Sequence, residues 1–270
     1  MANAHLHLSD YLVPNAGATL APLPVRRIGL GDIEDALRQG LADFLAQPSH
    51  LLFLGFIYPL AGVFLGRLAI GYDVLPLLFP LIAGFALIGP FAAIGLYEIS
   101  RRRELGLDTA WSHALDVRNS PAIGSIAILG LVLTVLFVAW LVAAMLIYQW
   151  TMGDAMPATI GGFLGDVLTT PAGWALIIFG NGVGFLFAVA ALLISVVSFP
   201  LLLDRHVNVI AAMRTSIRAV RVNPGMMILW GLIVAAGLVV GSLLFFAGLA
   251  IVMPVLGHAT WHLYRKIVEA

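Results

Sequence analysis

Apolar residues in this chain come in long unbroken runs separated by short polar stretches. The first run covers 50–70, with LLFLGFIYPLAGVFLGRLAI at its heart, and Gly71, Tyr72 and Asp73 form the turn after it. Further runs extend from about Val74 to Ile99, from about Ala122 to Trp150 and from about Ala172 to Leu203. Apolar stretches of at least about 18 residues read as transmembrane helices. The last stretch, Gly225 to Tyr264, holds no acidic or basic residue other than histidine. At about 1.5 Å per residue, one straight helix of that length would be about twice the hydrocarbon thickness. It reads better as two spans turning near Gly241 and Ser242. The pattern therefore predicts an all-α polytopic membrane protein with six transmembrane helices. Five is the alternative, because GLVVGSLLFF carries no strong turn signature.

Between the runs the period changes. DALRQGLADFLAQPSHLLFLG (35–55), TAWSHALDVRNSPAIGSIAILG (109–130) and AAMRTSIRAVRVNPGMMILWG (211–231) each place an amphipathic segment, a polar residue and a proline ahead of an apolar span. Pro48, Pro121 and Pro224 suit the first turn of a helix, where a missing N–H leaves no bond unmade. Ile33, Leu37, Leu41, Phe44 and Leu45 share one helical face. So do Leu107, Trp111, Ala114 and Leu115, and so do Ile210, Met213, Ile217 and Val220. Helices of this kind lie flat on a membrane surface, here with Arg214, Arg218 and Arg221 turned toward the headgroups of an anionic inner leaflet. The returning spans rhyme as well: GPFAAIGLYEISRRRE, SFPLLLDRH and MPVLGHATWHLYRK each leave the membrane after a proline. The expected architecture is three parallel repeats of a flat amphipathic helix plus a helix pair. The units fall at about 31–103, 104–204 and 205–267 of a single membrane domain, 31–267. Residues 1–30 read as a mobile cytoplasmic arm, and 151–170 as an outer loop with at most a short ordered cap.

Composition sharpens this picture. The chain is 61% hydrophobic and 10% charged, with a mean hydropathy of +1.02, whereas soluble domains carry roughly 25% charged residues. The formal net charge is zero, and the basic residues sit in short clusters between apolar runs. That excludes a nucleic-acid partner of the usual basic kind. Cysteine is absent, so thiolate chemistry and disulfides are excluded. The first residues lack the basic-then-apolar pattern of a signal peptide. With six spans and both termini cytoplasmic, nearly every Arg and Lys lies inside and only Arg67 outside, while Asp73, Asp154 and Asp166 fall on the outer side. This is the positive-inside pattern. Arg67 and Asp73 are close enough to pair across their turn.

Few residues offer chemistry. Glu98 stands one turn before Arg102, the spacing of a plain helical ion pair or of an interfacial ligand grip. Asn181 lies within IIFGNGVGFLF, flanked by Gly180 and Gly184. A polar amide in hydrocarbon needs a partner helix or a cavity, and the small residues permit close packing. His258 and His262 share a helical face and could supply two imidazoles to a metal or a haem. A third ligand would have to come from elsewhere, such as His113 or Glu98. The sequence has no HExxH, phosphate-binding loop or dinucleotide fingerprint.

The span exit GPFAAIGLYEISRRRE, the entry at Asn223 and Pro224, and the closing GHATWHLYRK together resemble the bacterial integral membrane family catalogued as domain of unknown function 2189. The resemblance covers about residues 25 to 267. It implies a six-span protein of the bacterial inner (cytoplasmic) membrane. Some members carry the label cytochrome c oxidase subunit I-like. That label fits poorly, because the catalytic oxidase subunit is a much longer chain with metal-ligating histidines inside its spans. Here the seven histidines include His5 and His7 in the arm, and none lies deep in a span. The leading expectation is a non-catalytic accessory, assembly or scaffold component of a membrane complex, for instance a respiratory one, with no cofactor. A transporter or channel for a small solute or lipid comes second, and a metal- or haem-binding protein using His258 and His262 third.

Overall fold

The computed structural model describes residues 21–47, 75–154, 159–205, 207–243 and 246–269. The first apolar run, its turn at 71–73 and the Arg67–Asp73 pairing lie outside them. The described elements are helical: α1 (Leu30–Ala46), α2 (Leu75–Ala92), α3 (Ile94–Glu104), a 3-10 helix (Trp111–Asn119), α4 (Ile123–Met152), α5 (Ile160–Thr169), α6 (Pro171–Ser195), α7 (Ser198–Asp204), α8 (Val209–Val222), α9 (Pro224–Leu243) and α10 (Leu249–Ile267). Among the described residues, three stretches are long and apolar enough to cross a membrane. These are Ile123–Met152, Pro171–Asp204 (α6 and α7 together) and Pro224–Leu243.

The helix starts follow local chemistry. Asn208 Oδ1 accepts from the Ala211 N–H at 2.8 Å to cap α8, and Thr159 Oγ1 accepts from the Gly162 N–H at 3.0 Å to cap α5. Pro224 opens α9 at a position where its missing N–H costs nothing. The stretch 225–264 does form two helices, but the turn expected at Gly241 and Ser242 falls further on. Helix α9 continues through both residues, and the turn occupies 246–248, with Phe246 in the left-handed region at φ 64°. Gly241 serves instead as a contact point, since a Cβ on Gly248 would lie 2.8 Å from its Cα.

A second departure is the segment 111–119, read from its period as a flat α-helix. It winds as a 3-10 helix instead. Within it the Asp116 side chain turns back onto His113 at 2.6 Å. Leu107 and Leu115 are exposed. By contrast α1 and α8 are α-helical as the period predicts. In α8 the buried face is Val209, Ala212, Ser216 and Ala219, while Ile210, Met213, Ile217 and Val220 are half-buried and Arg214, Arg218 and Arg221 are exposed.

Two compact units make up the chain, each drawing on more than one of the expected repeats. The smaller, Gly55–Gly89 with Val132–Ala191, is organised around Trp140. That indole donates to the Pro80 carbonyl at 2.8 Å and packs on Phe187 with ring centroids 5.7 Å apart. Gly184 fits against the same ring, where an added Cβ would sit 3.0 Å away.

The larger unit comprises Met1–Leu54, Pro90–Leu131 and Leu192–Ala270. Its core includes Trp230, Trp261, Tyr97, Tyr264 and Phe199, all almost fully buried. Helix α1 lies along α10, with Gly40 against Ala259. Of the arm expected over 1–30, residues 23–28 are held in place. Val25 and Val268 form an antiparallel bridge, Arg26 N–H donates to the Ile267 carbonyl at 2.9 Å, and Leu23 N–H donates to Thr215 Oγ1 at 3.0 Å. Asn223 clamps the same segment, accepting from Ile28 N–H at 2.9 Å and donating to the Arg26 carbonyl at 3.0 Å.

Candidate functional site

The polar centre of the larger unit forms where α1, α3 and α10 meet. Asp43 projects from the buried face of α1, alongside Ile33, Ala36, Gly40 and Phe44. The missing side chain at Gly40 brings that face onto α10. From α10 come His258 and His262, one turn apart on one face as their spacing requires. From α3 come Ser100, Arg103 and Glu104.

Asp43 is the hub. Its Oδ2 accepts from the Ser100 hydroxyl at 2.5 Å and from His262 Nε2 at 2.8 Å, and its Oδ1 from Arg103 Nη1 at 2.9 Å. Ser100 Oγ also lies 2.8 Å from His258 Nδ1. Because the Ser100 proton goes to the carboxylate, His258 must donate from Nδ1. The hydrogen-bond pattern thus assigns its neutral form as the Nδ1–H tautomer. Among the described residues its Nε2 is buried without a hydrogen bond of ordinary geometry, and the Leu96 backbone is a further polar neighbour of the ring. Burial pushes the Asp43 carboxyl upward. The hydrogen bonds from His262 and Ser100 and the charge of the imidazoles outweigh it, holding the group below the usual carboxylate range.

This order of donors decides the chemistry available. Ser100 spends its proton on the Asp43 carboxylate, and the His258 ring meets the same hydroxyl oxygen from the other side. The two imidazoles meet the hub through different ring nitrogens, one through Ser100 and one directly, rather than converging on a shared open position. No group of three or more His, Asp or Glu side chains suited to a metal occurs among the described residues. A cavity of about 530 Å³ adjoins the hub, with Asp43, Ser100 and His262 on its wall. Nearby, Glu104 accepts from Trp261 Nε1 and Arg265 Nε, both at 3.0 Å, and Asp204 accepts from the Tyr264 hydroxyl at 2.6 Å.

The other residues singled out in the sequence stand apart from this centre. His113 does not approach His258 or His262. Its Nδ1 lies 2.6 Å from Asp116 and its Nε2 2.9 Å from Asp108. Those carboxylates, Asp116 first and then Asp108, raise its pKa above the ordinary imidazole value. Glu98 is buried and its closest ion partner is Arg101, with two contacts of 2.8 and 2.9 Å. Arg102, expected from the helical spacing, stands at 3.8 Å and also reaches Asp116 at 3.6 Å. Asn181 is exposed and donates to the Ile177 carbonyl of its own helix at 2.8 Å. Gly180 has open space where a Cβ would be, while Gly184 packs on Trp140. Sequence reasoning passed over Asp43, Ser100, Arg103 and Glu104. Asp43 lies off the apolar face drawn through Ile33, Leu37, Leu41, Phe44 and Leu45: the buried face of α1 is turned toward Ala36, Gly40 and Asp43, and Leu41 and Leu45 are exposed.

Residues 78–204 match the family described as "Predicted integral membrane protein (DUF2189)". The matched stretch contains Ser100, Arg103, Glu104 and Asp204 of this centre. No curated protein matches the chain, and no solved structure does.

Proposed function

We propose, for a chain whose residues 78–204 match the DUF2189 integral membrane family, that it works as a non-catalytic component of the bacterial inner membrane. It would serve as an accessory, assembly or scaffold subunit of a larger complex, with six spans in three parallel repeats and both termini cytoplasmic. The observation that carries this reading is how the polar centre is spent. Asp43, Ser100, His258, His262 and Arg103 bond to one another, fastening α1, α3 and α10 together.

The long helices support the reading in another way. On α4, Leu131, Val135, Val138, Val142 and Leu146 fall on one helical face, each more than half exposed. On α9, Ile228, Leu232, Val239, Val240 and Leu243 are exposed likewise. Stripes of this kind suit lipid tails or a neighbouring subunit's helix. Helix α8 supports a surface-lying role, since its arginines are exposed beside a half-buried apolar face.

The test is purification of the full chain in mild detergent after cross-linking in the membrane. A partner chain recovered in fixed ratio is the expected result. A partner-free protein that carries a solute flux in proteoliposomes would replace this reading with the transporter. One metal or haem per chain, lost on replacing His258 and His262 by alanine, would replace it with the metal protein.

A further inference from the structure

The cavity beside the polar centre has a property that the fastening role does not use. Four cationic side chains line it, Arg26, Arg103, Arg265 and Lys266, against two carboxylates, Asp43 and Glu104. Both carboxylates are already engaged, Asp43 by Arg103, Ser100 and His262, and Glu104 by Arg265 and Trp261. Lys266 and Arg265 are further paired behind the wall, with Asp35 and Asp204 respectively.

The guanidinium edges remain only partly spent. Among the described residues, Arg26 commits its Nε to the Lys266 carbonyl and neither of its Nη groups to anything. Arg103 commits Nη1, to Asp43 and to the Ala42 carbonyl. Arg265 commits Nε and Nη1 and keeps Nη2. Arg103, Arg265 and Lys266 occupy the last turns of α3 and α10, where positive charge offsets the carbonyl ends of the helices. That accounts for their sign and not for the spare N–H groups of three guanidinium ions on one cavity wall. Forked N–H pairs match the paired oxygens of a phosphate, and several together recognise it better than a single point charge does. At about 530 Å³ the cavity is of small-molecule size.

We infer that this cavity is a binding site for a phosphate-bearing anion, with Arg26 as its principal free donor. Arg26 is exposed and sits beside the Val25–Val268 bridge, so it can turn onto a ligand without breaking the Asp43 hub. Two sources share the chemistry, a soluble phosphate compound and the headgroup of an acidic phospholipid. The inference goes beyond the accessory role and does not depend on it.

The experiment uses the full chain in two settings. In a nonionic detergent it is titrated with inorganic pyrophosphate by calorimetry, with chloride at matched ionic strength as control. In parallel, the protein is placed in phosphatidylcholine nanodiscs with and without phosphatidic acid, and bound lipid is counted by native mass spectrometry. Saturable binding in one setting is expected, weakened about tenfold or more by Arg26→Gln, partly kept by Arg26→Lys and unchanged by Arg118→Gln, an exposed arginine away from the cavity. Pyrophosphate binding would identify a soluble ligand, and retention of phosphatidic acid alone a lipid. Because Arg26→Gln and Arg26→Lys leave the hub intact, both variants should unfold at the wild-type temperature without ligand. The inference is overturned by no saturable binding in either setting, by binding that ignores Arg26→Gln, or by equal weakening in Arg118→Gln.

Discussion

Gly40 meets Ala259 so closely that a Cβ on Gly40 would lie 2.5 Å from the Ala259 backbone nitrogen and 2.6 Å from its methyl carbon. Backbone cannot step aside as a flexible side chain can, so the crossing of α1 and α10 depends on this glycine. Gly40→Ala should destabilise the protein by about 1–3 kcal/mol, the usual range for overpacking, despite alanine's better helix propensity. Thermal unfolding in detergent measures it, and a variant as stable as wild type would mean the helices do not approach this closely.

Asp43 carries the hub, and its loss should be felt through Arg103, Ser100 and His262 together. Asp43→Asn is expected to cost about 1.5–3 kcal/mol, in the range for hydrogen bonds to charged groups. The pH dependence follows from the lowered carboxyl value. The stabilisation is complete above the unfolded value of about 3.9 and disappears as pH falls through the lower folded value. Wild type should therefore lose stability in acid below about pH 4, and Asp43→Asn should show a shallower loss there. Parallel acid curves for the two proteins would contradict this.

His113 should behave in the opposite sense. Its raised pKa stabilises the 3-10 segment at pH values below the unfolded value of about 6.5, and the contribution is lost as pH rises through the higher folded value. Ring proton resonances of His113 followed by NMR should titrate above 6.5 in wild type and move back down in Asp116→Asn. A midpoint at or below the free value would show that the two carboxylates do not hold the ring.

Asn223 joins three tasks: it accepts from Ile28 N–H, donates to the Arg26 carbonyl, and its own carbonyl takes the Met227 N–H at 2.9 Å. Asn223→Ala should cost about 1–3 kcal/mol through the unpaired buried groups it leaves. Amide exchange at Ile28 should quicken more than exchange within α9. Unchanged protection at Ile28 would mean the segment is held by its other contacts.

Much of the frame was legible in the sequence because length and period are local properties. The uncharged run at 123–152 could be little else than a long helix, and Asn223 with Pro224 announced the start of α9. The turn at 246–248 was missed because it is fixed by an approach between Gly241 and Gly248, a tertiary contact with no turn signature. The site was half legible. The spacing of His258 and His262 placed them on one face, but their partners Asp43 and Ser100 are 219 and 158 positions away respectively. No period along one helix reports a carboxylate delivered by another. Arg101 displaced Arg102 as the nearer partner of Glu98 because i,i+3 and i,i+4 neighbours are both within reach, and side-chain geometry selects between them.

The bridge between Val25 and Val268 has a topological consequence. A path that returns to its starting point pierces any sheet an even number of times. Two residues bonded to each other lie on the same side of a bilayer, so the polypeptide between them cannot traverse it an odd number of times. If the three long apolar stretches at 123–152, 171–204 and 224–243 each traverse the bilayer once, at least one more crossing must exist to bring Val268 back to Val25.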